Sequence, residues 1–296
     1  MKMKQGWIIY SKETLNNKFN NNAFDWMNEE AKSNGLKTII VFEEDIKIEI
    51  SKEGKIEIFI NEKNKNIPDF ILLRSYCLDI SKALEILEIP IFNTTSSLND
   101  CRNKWISHLI CAKNNIPQPK TVFIKRNFHN FIDIKSSLGL PFVIKEVIGS
   151  KGEGVFLINN KEEFERIVNN TTYELICQEF IQESSGEDIR VHVIDEKAVV
   201  AIKRKAEKGF KSNYSLGGTS TEFKLNKEII ELSEKCAKII GLDIAGIDIL
   251  LSNRGPLVCE INGISAFRTV AVNTDINIPK LIFKMIKEKI TMGNTV

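Results

Sequence analysis

Residues 246–267 read GIDILLSNRGPLVCEINGISAF. Two apolar runs, IDILL and PLVCEIN, flank the turn-rich SNRG, which is the pattern of a β-hairpin. With Asn253–Gly255 as a three-residue loop, Ser252 faces Pro256, Leu250 faces Val258 and Asp248 faces Glu260. A period of two puts Asn262 on the side of Glu260 and leaves Ile247, Ile249, Leu257, Cys259 and Ile261 on an apolar face. Acids opposed at roughly 5 Å repel by on the order of 3 kcal/mol at an effective dielectric of about 20. A divalent cation between them turns that repulsion to use. Two carboxylates and an amide oxygen are hard oxygen ligands, of the kind Mg²⁺ takes beside nucleotide phosphates. In another register, the same acids are separately solvated surface groups.

A second stretch, PFVIKEVIGSKGEGVFLI (141–158), places a glycine-rich loop between two strands. Gly149, Gly152 and Gly154 allow positive φ and close backbone approach, and successive amides there make a nest for anionic oxygens. The spacing is neither the dinucleotide fingerprint nor a Walker A loop, and a strand follows it rather than a helix. A plain hairpin turn would also use these glycines. Lys145 argues for the anion site, because a lysine on a buried strand is costly without a partner.

Outward from these stretches, the chain reads as a soluble α/β protein. Its 296 residues suggest about two domains; 43% are hydrophobic and 27% charged, with a formal charge of +2. No Lys/Arg block argues for nucleic acid, and no apolar run approaches a membrane span. The six cysteines are scattered, with no C-x-x-C pair, and read as reduced core thiols of a cytosolic protein. The three histidines (His108, His129, His192) are too dispersed for a metal site and read as structural or surface residues.

Strands are expected at GWIIY (6–10), KTIIVF (37–42), DFILLRS (69–75) and PIFN (90–93), with a helix over 22–34 closed by Gly35. IKIEI and KIEIFI alternate around SKEGK as a hairpin. One helix is expected from about 100 to 114, others near 128–138 and over 161–170, and a strand over 174–181. A further helix over 227–240 has Asn226 as its cap and Gly241 as its stop. A domain boundary falls near 95–100.

In this order, Arg102-Asn103-Lys104, PFVIKEVIGSKGEGV, QEFIQESSGEDIRV, AIKRKA, KSN and AGIDIL…RGPLVCEIN resemble the ATP-grasp superfamily, and within it the RimK-like amino-acid ligases, which include LysX-type enzymes. The resemblance runs from about residue 93 to 290. It implies an α/β fold: an N-terminal Rossmann-like pre-ATP-grasp domain (1–95), then a two-subdomain ATP-grasp fold (96–175 and 176–291).

The resemblance also implies roles. Lys104 and Lys145 would contact ATP, and the loop with Gly149, Ser150, Gly152 and Gly154 would cover its phosphates. Gln178, Glu179, Phe180 and Ile181 would form the hinge beside adenine, read largely through backbone groups; Asp188 would bond the ribose, and Lys211 and Ser212 belong to the same nucleotide site. Arg204 and Asn213 would face the γ-phosphate and acyl group, and Asp248, Glu260 and Asn262 would hold Mg²⁺, with Mn²⁺ as a substitute. Arg190, Arg268 and Arg74 are candidates to pair with a substrate carboxylate.

The implied chemistry is amide-bond formation through an acyl phosphate, joining glutamate or a related amino acid to an amine-bearing small molecule, cofactor or carrier protein. No nucleic acid or membrane is involved, and a homodimer or tetramer is the family habit. The stretch EINGISAFRTVAVNTDINI (260–278) lacks the family's Pro-Gly turn, which bears on substrate identity. Two rival readings stand beside this one: another ATP-grasp peptide ligase of glutathione-synthase type, and a nucleotide-binding module that does not turn over.

Overall fold

The computed structural model describes residues 3–16, 21–64, 66–125, 130–149, 154–212 and 218–292. They form two compact units. One comprises Met1–Asn99, Gly241–Ile244 and Ile276–Val296, and the other Asp100–Ile240 and Ala245–Asp275.

The first unit is built on β1 (Lys4–Tyr10), α1 (Asn21–Ser33), β2 (Leu36–Phe42), β3 (Ile46–Ile50), β4 (Ile56–Ile60), β5 (Lys63–Asn64), β6 (Phe70–Leu73), α2 (Leu78–Ile86) and β7 (Ile91–Phe92). Strands run β2-β1-β6-β7 in one sheet, every pair parallel. Trp7, Ile8 and Ile9 are buried on both faces, which is why the run is continuously apolar rather than alternating. The expected hairpin is β3–β4, and β5 extends it to three strands.

Helix α3 (Thr95–Arg102) leads into the second unit, followed by α4 (Lys104–Lys113). The single helix expected from about 100 to 114 is therefore two. Asn103 leaves the helical conformation, and its side chain accepts from Ile106 N at 3.0 Å, capping α4. Then come β8 (Thr121–Ile124), α5 (Phe131–Leu138), β9 (Phe142–Glu146), β10 (Val155–Ile158), α6 (Lys161–Asn170) and β11 (Leu175–Glu179). These strands form an antiparallel sheet in the order β10-β9-β11-β8. One face buries Phe142, Ile144, Leu175 and Cys177 with Ile134 of α5 and Phe164 of α6. The alternation of β9 turns Val143 and Lys145 to the opposite face.

A second sheet has the order β14-β13-β12-β15-β16, from β12 (Glu187–Ile194), β13 (Lys197–Lys205), β14 (Thr219–Phe223), β15 (Ile244–Ser252) and β16 (Gly255–Asn262). Helix α7 (Lys227–Ile240) precedes β15. Asn226 caps it, accepting from Ile229 N at 2.9 Å, and Gly241 follows at φ +80°. Helix α8 (Arg268–Asn273) follows β16. Helix α9 (Ile278–Met292) packs on α1 within the first unit.

Candidate active site

The β15–β16 hairpin closes differently from the sequence expectation. Ser252 pairs with Gly255, Leu251 with Pro256, Leu250 with Leu257 and Ile249 with Val258, so the turn holds two residues, Asn253-Arg254. A bulge between Asp248 and Ile249 in the register then admits Cys259 as an extra residue on β16. Beyond it Asp248 pairs with Glu260 and Gly246 with Asn262. The opposed acids are thus reached by a shorter turn plus a bulge. The same bulge corrects the expected apolar face: Val258 joins it, buried to 1%, whereas the Cys259 thiol lies 3.2 Å from Lys145 Nζ.

Side chains of three neighbouring strands converge on Asp248. Arg190 of β12 donates from Nε and Nη2 to its two carboxylate oxygens, both at 2.6 Å. Arg204 of β13 stands opposite Asp188 in register and pairs bidentately with it, while its Nη2 also reaches Asp248 Oδ2 at 3.1 Å. Asn262 Nδ2 adds a contact to Asp248 Oδ2 at 3.3 Å. Gly246 makes the close approach possible. A Cβ there would stand 2.5 Å from Ser265 Oγ and 3.5 Å from Arg190 Cδ. Burial alone would push the Asp248 carboxyl up, but Arg190 and Arg204 outweigh it and hold the group well below the usual carboxylate range. For Arg204 the balance runs the same way, with Asp248 and Asp188 holding its charge against burial.

The small sheet and α4 supply the remaining charges. Lys145 is buried; Cys259, Glu260 and Asp248 together outweigh the desolvation that opposes its charge, and its pKa rises. Lys104, the first residue of α4, reaches Glu260 Oε1 at 3.3 Å and donates to Gly149 O at 2.9 Å. The glycine loop thus begins against the α4 terminus. At its far end Gly154 has φ +66°, and a Cβ there would fall 2.5 Å from Glu146. Strand β10 follows, as expected.

The 178–181 segment, whose first two residues end β11, is tied to the hairpin tip. Glu179 Oε1 accepts from Lys120 N at 2.7 Å and Arg254 Nη2 at 2.5 Å, and Ser184 Oγ donates to Leu251 O at 2.7 Å. Phe180 meets Phe210 edge-on at 6.3 Å, and Ile181 is buried. Lys211 Nζ lies 5.8 Å from the ring centre of Phe156 and 5.9 Å from that of Phe210. Ser212 is buried and hydrogen-bonds Asp188.

The structure therefore gathers Lys104, Lys145, Asp188, Arg190, Arg204, Asp248, Glu260 and Asn262 into one network. Arg268 opens α8 and is exposed, and Arg74 lies in the other unit, hydrogen-bonded to Tyr10. Ser150, Gly152 and Asn213 fall outside the described residues. Cys259 and Arg254 join the site unforeseen. Nothing in a single sequence marks a bulge, whereas His108, read from the sequence only as structural or surface, follows Lys104 by four residues on the same helix face, a spacing that could have placed it beside that lysine.

Within the network, four cations (Lys104, Lys145, Arg190, Arg204) face three carboxylates (Asp188, Asp248, Glu260). Such a balance suits a polyanion better than a bare cation. The donor set still fits a magnesium ion that arrives on phosphates. Glu260 keeps 30% of its side chain accessible, Asp248 is its cross-strand partner, and Asn262, two residues further along β16, reaches Asp248 Oδ2 at 3.3 Å.

Comparison with known proteins agrees. A model of the RimK-like ATP-grasp domain matches residues 101–286. A relative described as a probable alpha-L-glutamate ligase of Legionella pneumophila (strain Corby) is 34% identical over 218 residues, covering 72% of each chain. A D-alanine–D-alanine ligase from Bacillus anthracis, solved with ATP, superposes with a TM-score of 0.69 at 18% identity, over 99% of this chain and 98% of that one. The ATP-grasp ligase PsnB, solved with a phosphomimetic variant of its minimal precursor, Mg and ADP, gives a TM-score of 0.70 at 16% identity over 98% and 99%.

Proposed function

The chain belongs to the RimK-like ATP-grasp family and is an ATP-dependent ligase, and on that premise we propose that it joins glutamate or a related amino acid to an amine-bearing acceptor through an acyl phosphate. The observation that carries the reading is the buried Arg190–Asp248–Arg204–Asp188 chain beside Lys104 and Lys145. It holds more positive than negative charge where a polyphosphate would lie. The name of the L. pneumophila relative supports glutamate.

In this proposal, Lys145, Lys104 and the 149–154 loop hold the phosphates, the 178–181 segment lies along the base, and Lys211 and Ser212 close the nucleotide side. Nucleotide phosphate competes for Arg204 and releases Asp188 for ribose hydroxyls. A substrate carboxylate oxygen attacks the γ-phosphorus, and ADP leaves with the bridging oxygen's electrons. The amine then attacks the carbonyl carbon, loses a proton and expels phosphate. Arg204, with Asn213, stabilises the charge that develops on the transferred group, and Arg190 and Arg268 are the candidates for orienting substrate carboxylates. Asp248, Glu260 and Asn262 would hold Mg²⁺, which supplies charge neutralisation on the phosphates when bound. The division into 1–95, 96–175 and 176–291 belongs to the same proposal.

The test is ADP release from MgATP across a panel of amino acids and amine acceptors. Glutamate is expected to stimulate it. Glu260→Gln, which disturbs one partly exposed contact, should lower turnover about 100-fold while the fold persists. Asp248→Ala should lose turnover and also stability by about 3 kcal/mol, because it removes the carboxylate that pairs bidentately with Arg190 while Arg204 keeps Asp188. Full MgATP-dependent turnover in both variants would sink the metal assignment, and nucleotide binding without stimulation by any acid would favour a module that does not turn over.

A further inference from the structure

Gln178 is buried to 2% on β11, two residues from Ile176, which pairs directly with Lys145. Its side chain therefore shares the Lys145 face of the small sheet, away from the Phe142–Phe164 core. Its amide nitrogen makes two hydrogen bonds, to His108 Nε2 at 2.9 Å and to Thr121 Oγ1 at 2.9 Å. Both hydrogens are used, and Oε1 accepts no hydrogen bond among the described residues.

Which end of an amide is nitrogen is normally an assignment, but here two backbone carbonyls decide it. Gln118 lies 3.0 Å from His108 O, and a carbonyl can only accept, so Gln118 presents Nε2 there and turns Oε1 to His108 Nδ1 at 2.7 Å. Nδ1 must then carry the proton. Burial holds the imidazole neutral, with its pKa lowered to about 4, so Nε2 is an acceptor and Gln178 must offer it an N–H. Independently, Thr121 Oγ1 donates to Pro119 O at 2.9 Å, so it too can only accept from Gln178. Two chains, each ending on a backbone carbonyl, thus lock the same amide orientation.

We propose that His108, Gln118 and Thr121 are positioning residues for base selection: they hold the Gln178 amide with its oxygen turned toward the bound purine, as an acceptor for an exocyclic 6-amino group. A 6-oxo purine would bring an acceptor against an acceptor. The inference rests on the nucleotide-site reading above and adds to it a side-chain determinant that works alongside the hinge backbone. A buried acceptor left facing another acceptor discriminates strongly, because neither can turn to water.

The experiment is calorimetric titration of the full chain with MgADP and with MgIDP, which differ at the 6-position. Wild type is expected to bind MgADP about 10- to 100-fold more tightly. In the His108→Leu/Thr121→Val double variant the amide is free to turn, and the ratio should fall to within about threefold of unity. Loss of packing alone would weaken both nucleotides together and leave the ratio unchanged. Thr121→Val alone, nearly isosteric, serves if the double variant does not fold; it should narrow the ratio while MgADP still binds. Equal affinities in wild type, or an unchanged ratio in the variants, overturn the inference and leave the ligase reading standing. No binding of either nucleotide overturns both.

Discussion

At the scale of single residues, the site sets buried charge against paired charge, and His108 shows what burial does without a countercharge. Its ring is 4% exposed, and burial lowers its pKa from 6.5 to about 4, with Lys145 and Lys104 adding to the fall and Gln118 and Glu260 opposing it. The neutral ring is the native form. Below pH 6.5 the unfolded chain takes up a proton that the folded one refuses, so this contribution is complete above 6.5 and is lost as pH falls toward 4. The loss amounts to on the order of 3 kcal/mol. Urea midpoints at pH 7, 5.5 and 4.5 should fall less steeply for His108→Asn than for wild type. Parallel pH profiles would count against a neutral buried imidazole.

At the scale of elements, helix α4 delivers Lys104 and His108 to the same side, with Ser107 and Cys111 completing its buried face at i+3 and i+7. Its start is set by one side chain. Asn103 caps Ile106 N, and the Lys104 amide donates to Val147 O at 3.0 Å. Asn103→Ala should therefore cost about 1 kcal/mol in equilibrium unfolding. It should also weaken nucleotide binding several-fold, because a frayed first turn displaces Lys104 from Gly149 and Glu260. A stability loss with unchanged nucleotide affinity would mean that Lys104 is placed by the loop rather than by the helix. The β16 bulge has a comparable role. Val258 and Glu260 are two residues apart and would share a face on a regular strand, yet one is core and the other faces Asp248.

At the scale of the molecule, the charge network lies wholly within the unit formed by Asp100–Ile240 and Ala245–Asp275. A ligand that binds only the folded form stabilises it by about 2.7 kcal/mol at a hundred times its dissociation constant. Thermal unfolding should accordingly shift upward by roughly 5–11 °C with saturating MgATP. The shift should shrink when EDTA removes the metal, since the excess positive charge of the site accepts phosphate alone but Asp248 and Glu260 then oppose it. An equal shift with and without metal would argue against a role for Glu260 and Asn262 in holding it.

Much of this was legible in the residues themselves. The alternation around Lys145, the glycines with a strand after them, and the acids at Asp248 and Glu260 follow from period and residue type, whereas the ATP-grasp family was legible through the resemblance carried by the ordered motifs and not through periodicity. The Asn226 cap and the Gly241 stop are equally local signals. What depended on tertiary structure is each feature that one strand cannot specify about another. The two-residue turn and the bulge are set by which residues of β15 and β16 bury their side chains together. The pairing of Asp248 with Arg190, 58 residues away, requires β12 beside β15. The orientation of the Gln178 amide is decided by carbonyls at His108 and Pro119. Local sequence fixes periodicity and caps because their hydrogen bonds close within a few residues. Long-range register and side-chain polarity are settled only when distant donors and acceptors are buried together and must satisfy one another.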